Sequence, residues 1–559
     1  TLTKNQASSD LPLTPTITGS GVITSLEISP TLPSGLSFST SNGTIGGIPT
    51  VLQTTAVTYT IWANNSGGSV NATINITVND EAPDISYNPD WFVLTRYVDM
   101  SPTAMPNNAG GEIPSSIIQS SGVGHQTTSM VIDSNGYLHI SYYEETNGNL
   151  MYATNEGGSW STTTVDSRTN VGIYSSISLD SNDGVHIVYT VSSWVVPGFG
   201  YSDVLSYATC SSSCATSSWT KTDIARGYTG YGYDHKQFDL VIDSNDNLHF
   251  VFIKDYDDLM YVTCSSSCSS AITADYHSSW SIETIDAGDS FDPSIAVDSN
   301  NRIHISYYGD STKNLNYATC LSSCSTASSW TKTTVHAGNY SSSSYYGSIE
   351  MRAPSIGIDS NGVKHIAYVE LTHLQSSSKY TLKYATCSSS CTSSSSWSNA
   401  TIDDSAYSID LEIDSNDNVH ILYRDGTDKL NYSKCSSSCL SNSSWSSTLL
   451  NVPATGFDRQ KIVIDLQGNV HLSNTNYNLK QLRYYTINSS ASFQGFSISP
   501  DLPSGMKFDG LTGEISGTPS VLMINTTFTI TVSNSGGTNT TTITIEVVDQ
   551  VPVIAYSPD

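Results

Sequence analysis

The chain has 559 residues, 37% of them hydrophobic, and carries 50 acidic against 22 basic side chains for a formal charge of −28. That balance excludes nucleic acid as a partner, since a binder needs clustered Lys and Arg to replace phosphate counterions, and no apolar run is long enough to span a bilayer as a helix. Serine, threonine, asparagine and glycine are abundant, and apolar residues alternate with polar ones over short runs, so the expected fold is all-β.

Residues 1–84 read as one small β-sandwich, with alternating runs such as VTYTIWANN and SVNATINITV between turn-rich segments. A second copy of the pattern is split. ISPTLPSGLSF at Ile28 to Phe38 returns as ISPDLPSGMKF at Ile498 to Phe508, NSGG recurs at Asn65 and Asn534, and YNPD at Tyr87 to Asp90 returns as YSPD at Tyr556 to Asp559. The lead-in WFVLTRYVDM after Asp90 parallels the opening TLTKNQASSD, yet its continuation arrives only at Phe496. These segments resemble an immunoglobulin-like, cadherin-related family of bacterial and archaeal surface modules, which implies extracellular architecture.

Between the halves, an Asp-Ser-Asn-x-x-x-His motif followed by Leu-x-Tyr recurs seven times, the last copy degenerate as DLQGNVH, with aspartates at Asp133, Asp180, Asp243, Asp298, Asp359, Asp414 and Asp465. Their spacing of 47 to 63 residues suits a four-stranded blade. The expectation is a seven-bladed β-propeller inserted into the second of two sandwiches: 1–84 the first sandwich, 85–114 the start of the second, 115–487 the propeller, and 488–559 the remainder with a C-terminal linker. Six blades open their outer strand with tryptophan and the seventh does not, so Ile113 to Gln119 should supply the missing strand and close the ring. The aspartates suit a tight turn better than a calcium loop. A histidine repeated sevenfold reads as structural rather than catalytic. The repeats resemble the sialidase-like and related secreted propellers. That resemblance would imply an arginine cluster, a nucleophilic tyrosine and an acid, but the arginines here are too sparse to carry it over.

All ten cysteines fall in five C-x-x-x-C pairs: Cys210 with Cys214, Cys264 with Cys268, Cys320 with Cys324, Cys387 with Cys391, and Cys435 with Cys439. Two thiolates per blade cannot complete a zinc site, so local disulfides and an oxidising compartment are expected. Glycosylation sequons stand at Asn42, Asn64, Asn71, Asn75, Asn339, Asn399, Asn431, Asn442, Asn488, Asn525 and Asn539.

Candidate ligand-binding residues are the aromatics of the irregular loops, Trp194, Phe199, Tyr201, Tyr228, Tyr231 and Tyr233, with Asp234 and His235, as a platform for sugar rings or protein hot spots. The junction VNDEAP partly resembles the cadherin calcium linker, which makes Asn79, Asp80 and Glu81 candidate calcium ligands and calcium the only candidate cofactor. The functional expectation is a non-enzymatic, extracellular or cell-surface structural and adhesive protein. Its partners would be glycans or surface proteins, and copies of itself or adjoining repeats joined head to tail as a fibre. The alternative is a glycan-active hydrolase with its site on the propeller.

Overall fold

The alternating runs form strands throughout, and among the described residues the only helical elements are three single 3₁₀ turns. The computed structural model describes the chain apart from residues 19–20, 111–115, 125–127, 157, 169, 197–199, 227–237, 255–257, 270–278, 289, 340–348, 375–377, 428, 454–459, 477–479, 488–492 and 552–559. Contacts divide it into two units, Thr1–Ser115 with Ser492–Asp559, and Ser116–Ala491.

The first unit holds two immunoglobulin-like sandwiches of one design. In the first, Leu2–Thr3 runs parallel to Gly68–Asn79, followed in the sheet by Gln53–Asn65 and Ser25–Ser29. In the second, Trp91–Thr95 runs parallel to Gly537–Val548, followed by Met523–Asn534 and Phe496–Ser499. Phe528, Ile530, Val532, Ile543 and Ile545 alternate inward from the long hairpin, and Ile85, Tyr87 and Phe92 join them from before the insert. One sandwich core is thus assembled from both sides of the propeller sequence.

The second unit is a seven-bladed propeller, so the chain is all-β, with the propeller inserted into the second sandwich. Blades one to six each form an antiparallel sheet of four consecutive strands, here A to D from the axis outward. Blade seven has A (Lys461–Ile464), B (Val470–Asn476) and C (Gln481–Ile487), and its fourth strand is Ser116–Gln119, antiparallel to C. Of the stretch expected to close the ring, residues 113–115 lie outside the described residues.

A second contact agrees with this closure. The tyrosine three residues after the motif histidine bonds the end of strand D of the preceding blade: Tyr189 to Asp166 at 2.9 Å, Tyr307 to Asp286 at 2.8 Å, Tyr368 to His336 at 2.7 Å and Tyr423 to Asp403 at 2.9 Å. Tyr142 of blade one makes the same bond to Gln119, which therefore occupies the strand D position of blade seven.

The recurring motif builds the opposite face. Each aspartate's Oδ1 accepts the backbone N–H groups two and four residues on, as Asp243 does from Asn245 and Asn247, both at 2.9 Å. That is the tight turn the sequence suggests. The motif tyrosine lies 2.5 or 2.6 Å from Nδ1 of the histidine in all seven blades, and the histidine's Nε2 faces the aspartate's Oδ2 at 3.0 to 3.5 Å. In blades two, six and seven, at 3.0 to 3.2 Å, the carboxylate accepts Nε2–H, and that tautomer leaves Nδ1 to accept from the phenol. Six of the seven blade seams carry a Tyr–Trp ring contact, edge-to-face for Tyr152 on Trp219, Tyr207 on Trp280, Tyr261 on Trp330, Tyr317 on Trp397 and Tyr384 on Trp445, and tilted for Tyr484 on Trp160. Such pairs contribute roughly 0.5–1.5 kcal/mol each beyond area burial.

Each C-x-x-x-C pair forms a disulfide within its own blade. The second cysteine's carbonyl accepts the indole N–H of the tryptophan that follows, at 2.9 to 3.2 Å. Five disulfides fit a secreted protein, and among the described residues no helix is long and apolar enough to cross a membrane.

Candidate functional site at the channel mouth

Strand A of every blade lines the propeller axis, so residues at one register of that strand form a ring. Four residues before the motif aspartate stand Ser129, Ser176, Asp239, Ser294, Ser355, Asp410 and Lys461. Their side-chain oxygens cap the backbone N–H of the next blade's strand A. Ser129 accepts from Ile177 at 3.2 Å, Ser176 from Leu240 at 3.1 Å, Asp239 from Ile295 at 2.9 Å, Ser294 from Ile356 at 3.4 Å, Ser355 from Leu411 at 3.0 Å and Asp410 from Ile462 at 2.9 Å.

The ring departs from serine in three places. Asp239 takes a second bond from the Ser294 hydroxyl at 2.9 Å. Lys461 cannot accept, and its ammonium instead meets Asp410 Oδ1 at 2.9 Å. Glu412 follows Asp410 by two residues on one strand and so shares its face. At that deeper register the other blades carry Val131, Ser178, Val241, Ala296, Gly357 and Val463, so Glu412 is the single charge-bearing residue there. The pocket at the mouth is lined by Asp239, Asp410 and Lys461 with Phe238, Pro293, Pro354, Ile409 and Gln460 among others, and encloses about 50 Å³, room for a few waters.

Confinement and mutual charge tune these groups. Burial, and then the neighbouring Asp410 charge, push the Glu412 carboxyl up to about 7. Burial also raises Asp410 against the pull of Lys461. The Lys461 ammonium is held more firmly protonated by Asp410 and Asp239, which outweigh its own desolvation. Near neutral pH the mouth therefore holds a paired Lys461–Asp410, while Glu412 exchanges a proton in the range where an acid–base catalyst works best.

The sequence reasoning missed this site because serine, aspartate and lysine in a strand each look ordinary. Aligning the seven repeats column by column would have found it, since a purely structural register should not change charge in only some blades. The expected aromatic platform lies largely outside the described residues. Phe199, Tyr228, Tyr231, Tyr233, Asp234 and His235 fall there, and Trp194 and Tyr201 are placed only as backbone in strands B and C of blade two. The described arginines are held locally, Arg168 by Asp166 and Asp223 and Arg352 by Glu350. Asn79, Asp80 and Glu81 lie at the junction of the two sandwiches, where the Ser535 hydroxyl bonds Asp80 Oδ2 at 3.1 Å and Asn534 Nδ2 bonds the Glu81 carbonyl at 2.7 Å. No group of three or more His, Cys, Asp or Glu that could hold a metal occurs among the described residues.

A family model described as "Putative Ig domain" matches residues 1–79 and 462–548. The second match begins in strand A of blade seven and continues through the rebuilt sandwich. Among curated proteins, none matches the chain. Solved structures with a similar fold include the α-L-arabinofuranosidase Arb93A from Fusarium graminearum, at 10% identity and a TM-score of 0.42 over 67% of this chain and 98% of that one. The polysaccharide lyase Uly1 is similar at 10% identity and 0.42, over 73% and 100%. An ulvan lyase described as a new family of polysaccharide lyase gives 12% and 0.42, over 71% and 96%. These likenesses are of fold. The fold therefore does not support the expectation of a non-enzymatic protein, since solved structures with a similar fold include glycan-cleaving enzymes.

Proposed function

We propose that the propeller is a glycan-active hydrolase of an extracellular, surface-displayed protein, working at the channel mouth while the sandwiches present it. The observation that carries this reading is the interruption of a serine-lined ring by Asp239, Asp410 and Lys461, with Glu412 behind them titrating at about 7. Hydrolysis of a glycosidic bond needs a carboxylic acid to protonate the leaving oxygen and a second carboxylate to activate water or attack the sugar. Glu412 has the proton affinity of the acid. Asp239, held by Ser294 and the Ile295 N–H, is the fixed carboxylate, standing one register away on another blade and near enough for its charge to raise Glu412. The five disulfides and the immunoglobulin-like modules support an extracellular setting.

The test is release of reducing ends from a panel of neutral and acidic polysaccharides by the intact chain, then by Glu412→Gln and Asp239→Asn. Each is expected to lower kcat/KM by roughly 100-fold or more with the thermal transition retained. Turnover undiminished in Glu412→Gln, or binding of glycans with cleavage of none, would overturn the reading and leave an adhesive propeller in its place.

A further inference from the structure

The two sandwiches share one design but are not equally covered. In the second, Ile85–Tyr87 pairs antiparallel with Pro106–Asn108, with Ile85 opposite Asn108 and Tyr87 opposite Pro106. Ile85 and Tyr87 are 5% and 6% exposed within the core, and the Tyr87 hydroxyl donates to the Gly513 carbonyl. The matching bridges, Ala104 to Ile515 and Leu13 to Ile45, align Pro106–Asn108 with Pro15–Ile17 and Gly513 with Gly43. Both glycines sit at nearly the same positive φ, 73° and 72°, with a proline ring against each.

In the first sandwich no described strand pairs with Pro15–Ile17. Leu13 is 45% exposed where its counterpart Ala104 is 7% exposed, and Ile17 is 53% exposed. The NSGG turn shows the same contrast. In the second sandwich it clamps the junction, with Asp80 N–H on the Ser535 Oγ at 2.9 Å and Asn534 on the Glu81 carbonyl. A Cβ on Gly536 would fall 2.0 Å from the Asp80 carbonyl oxygen. The matching Ser66, Gly67 and Gly68 of the first sandwich are exposed.

The second sandwich therefore displays what fits this edge: an extended Ile-x-Tyr-x-Pro-Asp segment preceded by an acidic junction. The chain carries that pattern twice, as Ile85-Ser-Tyr-Asn-Pro-Asp and as Ile554-Ala-Tyr-Ser-Pro-Asp, the latter preceded by Asp549. We propose that Ile554 to Tyr556 of one copy adds as a strand to Pro15–Ile17 of a second copy, with Tyr556 reaching the Gly43 carbonyl, so that the joint inside each chain is repeated between chains. Strand addition supplies main-chain hydrogen bonds, and the Ile and Tyr pockets supply specificity. The contact joins unlike surfaces, so it propagates into a linear or ring assembly rather than stopping at a dimer.

Because register is fixed by the internal joint, Ala555 should stand opposite Thr16, as Ser86 stands opposite Asn107. The ten native cysteines are all in disulfides, so introduced thiols react alone. Mixing a Thr16→Cys chain with an Ala555→Cys chain under mild oxidation is expected to give a disulfide-linked pair well above either chain alone. Light scattering should show mass rising with concentration for the unmodified chain. Tyr556→Ala should weaken that association at least about tenfold. The proposal is overturned if the mixed thiols yield no linked pair, if a Thr16→Cys/Ala555→Cys chain closes only on itself, or if the unmodified chain keeps monomer mass at high concentration.

Discussion

Lys461→Met is expected to destabilise the propeller at pH 7 by about 3–5 kcal/mol, the cost of leaving a buried charge without its partner. Asp410 is 5% exposed, and its Oδ1 has Lys461 at 2.9 Å. Methionine keeps the stem of the side chain and removes only that partner. The informative measurement is the double variant Asp410→Ser/Lys461→Met. Serine is what blades one, two, four and five already use to cap the next strand A. The introduced hydroxyl would keep the Ile462 N–H satisfied with no charge to compensate, so most of the lost stability should return in a denaturant midpoint measurement. If the double variant is no more stable than Lys461→Met, the pair is not the closing element of the ring.

Acid should unfold the propeller early, with stability falling as the pH drops from about 6.5 toward 4. Burial holds His139, His249, His304, His365 and His420 below the ordinary histidine value, with His304 down to about 4. A histidine depressed in the fold is neutral there while the unfolded chain takes up protons, so its stabilisation is present above about 6.5 and is lost as pH falls toward the folded value. For His304 alone that amounts to roughly 3 kcal/mol. The partner aspartates Asp180, Asp243, Asp298, Asp414 and Asp465 are also depressed, Asp414 to about 2, and extend the loss below pH 4. Glu412 works the other way, being raised to about 7, so its contribution is full below about 4.5 and is lost as pH rises through 7. Two raised carboxyls, Glu412 and Asp410, against six depressed histidines, His336 included, leave the net sign acid-labile. Tm followed from pH 8 to 4 checks this, with His304→Gln expected to flatten the slope; a flat profile for the unmodified chain would refute it.

What could be read from the sequence was whatever repeats. The Asp, His and Tyr of each motif announce the blades because they make the same turn and the same His–Tyr hydrogen bond seven times. The exception in blade seven, with no tryptophan, pointed to Ile113 to Gln119 because a ring cannot leave one sheet short. Positions where the repeats disagree were not legible one at a time. Asp239, Asp410 and Lys461 occupy a register that only the folded ring turns into a neighbourhood, and Glu412 acquires its proton affinity from burial and a charge two residues away. Leu13 and Ala104 are likewise equivalent only once both sandwiches are built.

The parallel pairing of Trp91–Thr95 with Gly537–Val548 has a mechanical consequence. Tension arriving through the first sandwich enters at Trp91 and leaves beyond Val548, pulling the two strands past each other so that their hydrogen bonds are loaded together in shear. Pro106–Asn108 shares the load through its pairing with Ile85–Tyr87, but the whole propeller lies in a loop outside that line of force. A stretched string of such modules would keep every propeller slack until its clamp gave way.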